Sequence, residues 1–254
     1  MRRFERQWRA HEYLEAKVER IALLLERRYG IPKKERRVDP LDTLIQTILS
    51  QNTNDRNRDT AYQRLKNRFP KWEDILPAKT REVMSAIRPG GLAEQKARCI
   101  HKLLRWIKRH EGHMSLSFLK EMDSEEIKKT MGHLKGIGPK TINCLLLFGL
   151  GREAFPVDTH ILRVGKHLGF IPEEIDAEKA HEWMAPLVPK RKSLSLHLNL
   201  IQFGRSICTA QNPQCGNCFL TKECLHLKKM VRQIEYGIIT KFQTPNNNQS
   251  LINQ

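Results

Sequence analysis

Residues 134–141 read Leu134-Lys135-Gly136-Ile137-Gly138-Pro139-Lys140-Thr141. The stretch sits between two segments with helical apolar spacing, so it predicts two helices joined by a tight corner. Glycines at 136 and 138 allow backbone conformations closed to other residues, and Ile137 between them can plug the junction. Pro139 suits the first turn of the second helix, where its missing N–H is not needed. The free amides at that helix start make an anion site that fits a phosphate oxygen. Taken alone, such a corner needs no function, because two helices can simply pack there. Lys140 changes the balance. A cation in the first helical turn meets positive partial charge, so a lysine there is a poor structural choice and a candidate nucleophilic amine.

Eighteen positions after Lys140 comes Pro156-Val157-Asp158-Thr159-His160. Asp158 is a natural N-cap for the helix that follows. It is also a carboxylate able to face the amine across a cleft, where it would take a proton or stabilise a cationic sugar.

Outward from this centre the chain reads as helix after helix. Val18, Ile21, Ala22, Leu24 and Leu25 share one face before a stop at Gly30-Ile31-Pro32. Asp39-Pro40 opens a second helix with Leu41, Leu44, Ile45, Ile48 and Leu49 inward, and 55–68 is a basic helix ending at Phe69-Pro70. Residues 93–109 carry Ile100, Leu103, Leu104 and Ile107 at helical spacing, with Lys and Arg expected on the other face. Helices are further expected from Ser124 to His133 and over 140–150, 158–168, 177–186 and 191–207. Strand alternation and fixed-period repeats are absent, so the fold class is all-α. From about residue 238 the chain turns to Thr, Asn, Gln and Pro, which reads as a frayed tail.

The 254 residues include 45 Lys and Arg against 28 Asp and Glu, a formal charge of +17. That points to a polyanionic partner, with nucleic acid ahead of an anionic membrane surface. Nowhere do 18 apolar residues run together, so no spanning helix is expected. The first 30 residues hold five glutamates and no apolar core, unlike a secretory or transit peptide. The expected location is therefore the cytoplasm, with the nucleoid, or the nucleus, according to cell type.

Four of the six cysteines, Cys208, Cys215, Cys218 and Cys224, fall within 17 residues in the spacing C-x6-C-x2-C-x5-C. In a basic chain without an export signal this reads as a metal or cluster site before a pair of disulfides. Four thiolates serve zinc or a [4Fe-4S] cluster alike, so chemistry alone does not choose. Cys99 and Cys144 lie in apolar helical patterns and read as small core residues.

Leu-Lys-Gly-Ile-Gly-Pro-Lys-Thr followed by Phe-Pro-Val-Asp-Thr-His-Ile-Leu-Arg-Val resembles the helix-hairpin-helix DNA glycosylase superfamily, closest to its endonuclease III branch. The resemblance runs from Asp39 to Cys224, about three quarters of the chain. It implies two helical lobes with a cleft between them. It also implies a Schiff-base lysine at Lys140, a catalytic aspartate at Asp158, and a [4Fe-4S] cluster on the four clustered cysteines. Lys135 stands where the family usually has proline and would add a phosphate contact beside Gly136, Ile137 and Gly138. Monofunctional relatives lack the lysine, so Lys140 implies combined glycosylase and lyase activity.

The implied division is 1–38 as an N-terminal helix and linker on the cluster lobe, and 39–150 as a barrel lobe with its hairpin near 124–150. Residues 151–228 form the cluster lobe and 229–254 an extension flexible at its end. The partner is double-stranded DNA bearing damaged bases or abasic sites, with no membrane contact and a monomeric protein. The implied activity is removal of oxidised or damaged pyrimidines. Mismatched uracil or thymine, or a modified cytosine, is the alternative substrate, and a non-catalytic DNA-binding protein is the reading from another class.

An enzyme acting on a base in a duplex must flip it out and fill the gap. Leu49-Ser50-Gln51-Asn52-Thr53-Asn54-Asp55 ends an apolar helix with amides and resembles the family's filling motif, with the glutamine one place early. Gln51 and Asn52 are thus rival fillers, against an ordinary polar helix end with Asp55 as the next cap. Leu92, after Gly90-Gly91, reads as a wedge between base pairs or as a helix-start staple.

Overall fold

The computed structural model describes the backbone of residues 2–33 and 38–235, and the side chains of 11–33 and 38–232. Helices occur throughout and no strand is present among the described residues. In order they are α1 (Arg2–Tyr29), α2 (Pro40–Leu49), α3 (Asp55–Arg68), α4 (Thr80–Ile87), α5 (Ala93–Glu111), α6 (Ser124–Gly132), α7 (Pro139–Cys144), α8 (Thr159–Leu168), α9 (Lys179–Met184), α10 (Ser193–Ser206) and α11 (Leu225–Glu235). None is long and apolar enough to cross a membrane.

Local chemistry sets the helix starts. The Asp39 carboxylate accepts from the amides of Leu41 (2.8 Å) and Asp42 (3.2 Å), with Pro40 in the first turn of α2. α3 and α6 begin at Asp55 and Ser124, as the sequence suggests, and each is capped by the residue before. Asn54, not Asp55, caps α3 by accepting from Asn57 N at 2.9 Å, which frees Asp55 for ion pairs. Asp123, not Ser124, caps α6 in a reciprocal box with Glu126. α4 is not visible in the sequence pattern, because its eight residues bury only Val83, Ala86 and Ile87. Residues 229–235, expected to begin the C-terminal extension, continue α11; the expected tail from 238 lies outside the described residues, as do 34–37 of the N-terminal linker.

Two apolar cores result. One gathers α2 to α6 and the hairpin, from Leu41 to Leu150. The other joins Val18, Ile21, Ala22 and Leu25 of α1 to side chains between Phe155 and Leu220. Full burial of Ile21 and Leu25 contributes about 2 kcal/mol each. Between the cores runs the helix that begins at Pro139. α7 passes into one π-helical turn, Leu145–Gly149, closed by Leu150 N to Leu145 O at 2.9 Å. Every residue from Thr141 to Leu147 is buried, as a helix enclosed on all sides requires.

α1 is fastened to the second core by polar contacts as well. Glu26 accepts from Lys192 Nζ (2.6 Å) and Ser195 Oγ (2.7 Å), and Asn199 donates to Gly30 O (3.0 Å). Burial pushes the Glu26 carboxyl upward, but the bonds from Lys192 and Ser195 and the lysine charge outweigh it and hold it below its ordinary 4.5. A depressed carboxyl stabilises the fold above its unfolded pKa and loses that contribution as pH falls through the folded one. Glu26→Gln should cost about 2 kcal/mol at pH 7. The gap to wild type in thermal unfolding should shrink as pH is lowered from 5 toward 3. A gap independent of pH would show that the carboxylate charge is not the stabilising element.

Candidate active site and nucleic-acid face

The hairpin joins α6 to α7 over residues 133–138. Gly136 has φ +96°, in the left-handed region, and a Cβ there would lie 2.7 Å from Cys99 Sγ. Gly136 therefore needs to be glycine twice over. Gly138 does not: its φ is −95° and nothing lies within 4 Å of where a Cβ would be. This corrects the expectation that both glycines adopt special conformations. The space beside Gly138 opens outward. Ile137 is buried and plugs the corner, and its amide donates to Leu134 O at 2.9 Å. Lys135 is exposed on the turn.

Lys140 is half-buried, one residue inside the open end of the enclosed helix. Asp158 is half-buried and caps α8, its Oδ1 accepting from Ile161 N at 2.8 Å. The two have neighbours in common: the charges of both reach the buried Cys144 and His197. Burial pushes the Cys144 thiol up to about 11, so it remains a protonated packing group beneath the lysine.

Two histidines that sequence reasoning did not single out hold the strand-like segment leading into Asp158. His197 on α10 donates from Nδ1 to Pro156 O at 2.9 Å, since the carbonyl can only accept. Burial pulls its pKa down to about 4, against the opposing charge of Asp158, so it is neutral at pH 7. His181 on α9 accepts from Val157 N at 3.2 Å. Each falls among the buried positions of its helix, His197 with Leu196 and Leu200 on α10 and His181 with Ala180 and Met184 on α9.

The two loops expected to probe the duplex lie near the hairpin. Gln51 donates from Nε2 to Gly136 O at 3.1 Å, so its amide braces the turn, while Asn52 is exposed at φ +50°. Leu92 is 48% exposed at φ +47°, immediately after Gly91 at φ +68°. Several charges of the basic helix α3 are engaged within the protein. Arg58 pairs with Asp55 and Asp59, Arg68 with Glu82, and Lys66 donates to Pro70 O.

Cys208, Cys215, Cys218 and Cys224 are all free thiols, and Cys208 is close enough to feel the charges of the other three. Hydrogen-bond donors surround the sulfurs, which suits thiolate ligands: Leu220 N approaches Cys218 Sγ at 3.4 Å and Leu227 N approaches Cys224 Sγ at 3.3 Å. His167 Nδ1 lies 3.2 Å from Cys208 Sγ, and Arg163 forks onto Cys208 O at 2.9 and 3.1 Å and Gly204 O at 2.8 Å. Among the described residues no three His, Cys, Asp or Glu side chains gather around a single-ion site. The donor set fits a cluster held by four thiolates.

Residues 45–190 match the HhH-GPD superfamily base excision DNA repair protein family, and residues 208–224 match the iron–sulfur binding domain of endonuclease III. The loop accordingly binds an iron–sulfur cluster. A putative DNA glycosylase of Arabidopsis thaliana is 38% identical over 178 residues, covering 70% of this chain but only 58% of the plant protein. Endonuclease III of Thermotoga maritima is 31% identical over 208 residues, covering 82% of this chain and 92% of the relative. A solved non-covalent endonuclease III–DNA complex superimposes with a TM-score of 0.72 at 27% identity, covering 86% of this chain and 98% of the other.

The two hairpin glycines should separate folding from binding. Gly136→Ala should destabilise by more than about 1 kcal/mol, because an L side chain is strained at positive φ. Gly138→Ala should leave the thermal midpoint within about 0.5 kcal/mol of wild type yet weaken duplex binding measured by fluorescence anisotropy. Wild-type affinity in Gly138→Ala would mean that no phosphate approaches there.

Proposed function

The chain belongs to the HhH-GPD superfamily of base excision DNA repair proteins, and on that premise we propose that it is a bifunctional DNA glycosylase and AP lyase for oxidised or otherwise damaged pyrimidines in double-stranded DNA. The observation that carries the reading is the half-buried amine of Lys140 at the one open end of an enclosed helix, sharing neighbours with the Asp158 carboxylate.

In this reading Asp158 takes a proton from the Lys140 ammonium or steadies positive charge on the sugar. The Lys140 amine forms a bond to C1′ as the bond from C1′ to the base breaks, and the base leaves with the glycosidic electron pair and is protonated. The C1′–O4′ bond then opens, O4′ gains a proton, and a Schiff base remains on Nζ. That imine acidifies the C2′ proton; its removal breaks the C3′–O bond and releases the downstream 5′-phosphate. Hydrolysis returns the free lysine. A neutral His197 beside the pair adds no second positive charge to oppose the iminium.

Gly136, Ile137, Gly138 and Lys135 would receive the backbone phosphate, Leu92 would wedge the stack, and Asn52 rather than Gln51 would fill the gap, because the Gln51 amide already braces the hairpin. Cys208, Cys215, Cys218 and Cys224 would hold a [4Fe-4S] cluster, which supplies the framework of their loop. The protein would act as a monomer.

Borohydride reduction of the Schiff base to a stable amine tests the chemistry. Wild type should crosslink to duplexes carrying an abasic site or thymine glycol, and Lys140→Gln should not, while still binding duplex. Asp158→Asn keeps an N-cap acceptor for α8, so it should fold normally and react about 10²-fold or more slowly. Crosslinking by Lys140→Gln would remove the nucleophile from this site. Crosslinking on abasic DNA alone would keep the chemistry and transfer the substrate to mismatched or other modified bases.

A further inference from the structure

Among the described residues Lys96 is the most completely buried charged side chain, 1% exposed, and it has no carboxylate partner there. The sequence pattern places α5 lysines on the outer face, but Lys96 falls on the buried stripe with Ile100, Leu103 and Ile107. Its Nζ donates to two backbone carbonyls, Leu49 O and Gly90 O, each at 2.7 Å. Leu49 is the last residue of α2, whose final carbonyls lack helical partners. Gly90 ends the short turn after α4 and is buried against Ala61, its missing Cβ leaving 3.2 Å to that neighbour and 3.8 Å to Nζ.

Both carbonyls are roots of the probing loops. Two residues separate Leu49 from Asn52, in left-handed conformation, and Gly90 is followed by Gly91 and Leu92, both at positive φ. Non-glycine residues in that region cost of order 1–3 kcal/mol each and persist only where the surroundings over-determine them. An unpaired buried ammonium is itself costly, and an apolar side chain would fill the stripe more cheaply. Desolvation accordingly pulls its pKa down to about 8. A lysine kept there returns something that packing cannot supply, namely a fixed distance between two backbone segments.

We infer that Lys96 is a positioning residue: its ammonium clamps the roots of the 49–54 and 90–92 loops so that the gap-filling amide and the Leu92 wedge enter the duplex together. Lys96 touches no DNA. The inference rests on the proposed reading that these loops enter the duplex.

The test compares borohydride crosslinking by wild type and Lys96→Met on the same abasic site in duplex and in single-stranded form. A single strand has no stack to wedge and no partner base to satisfy, so only the duplex reaction needs the loops. Lys96→Met should lose at least about tenfold in rate on duplex, in line with the cost of a misplaced positioning group, and keep the wild-type rate on the single strand. Lys96→Gln, whose amide can still donate, should recover part of the duplex rate and serves if the methionine variant folds poorly. Adding Lys96→Met to Leu92→Ala should cost little more than Leu92→Ala alone. Equal losses on both substrates, or none on either in both variants, would overturn the clamp. Failure of wild type to crosslink to either substrate would instead overturn the lyase reading.

Discussion

A helix buried on every side can offer chemistry only at its ends. From Thr141 to Leu147 the central helix is enclosed, with Leu145 and Leu146 in one core and Phe148 against His197 of the other lobe. Its far end closes in a π turn where Gly149 comes so near Pro40 that a Cβ would sit 3.2 Å from that residue's Cα. Only the hairpin end remains open, and Lys140 stands there. The position of the amine is therefore inherited from the packing of both lobes. The same holds for Asp158, whose approach segment is bound by His181 and His197 from behind.

The electrostatics around this point follow one rule: groups in the wall are neutral. Cys144 keeps its proton and His197 stays unprotonated, both because burial penalises charge. Cys144 and His197 thus add no charge of their own to the place where Lys140 and Asp158 stand. Elsewhere the chain tolerates strain and a buried cation together, at the 49–54 and 90–92 loops, and nowhere else among the described residues is a lysine so completely enclosed.

Much of this was legible in the residues, and what was not has physical causes. Apolar spacing located the long helices because their buried faces recur at fixed intervals, as in α2 and α5. It missed α4, whose stripe is too short to repeat. It placed one cap one residue late, because Asn54 and Asp55 are both competent acceptors and the choice depends on the incoming backbone angle. Gly136 and Gly138 look alike in the sequence, yet only the first is required by the protein's own geometry. Lys96 is hidden by composition: one more lysine in a basic helix, distinguishable only by sharing the register of Ile100, Leu103 and Ile107. The four cysteines were legible as a ligand set, whereas His167 and Arg163, which reach Cys208 from α8, cannot be read from spacing.

The second lobe has a consequence for how the chain comes off the ribosome. The first core is built from one continuous stretch, 41–150, and can consolidate as soon as that stretch has emerged. The apolar stripe of α1 is made before that stretch but finds its partners, among them Leu196, Leu200 and Phe203, only after it. Between those two points the nascent protein carries an uncovered amphipathic helix beside a consolidated first core. The second core can close only when a helix made before the first core meets helices made after it.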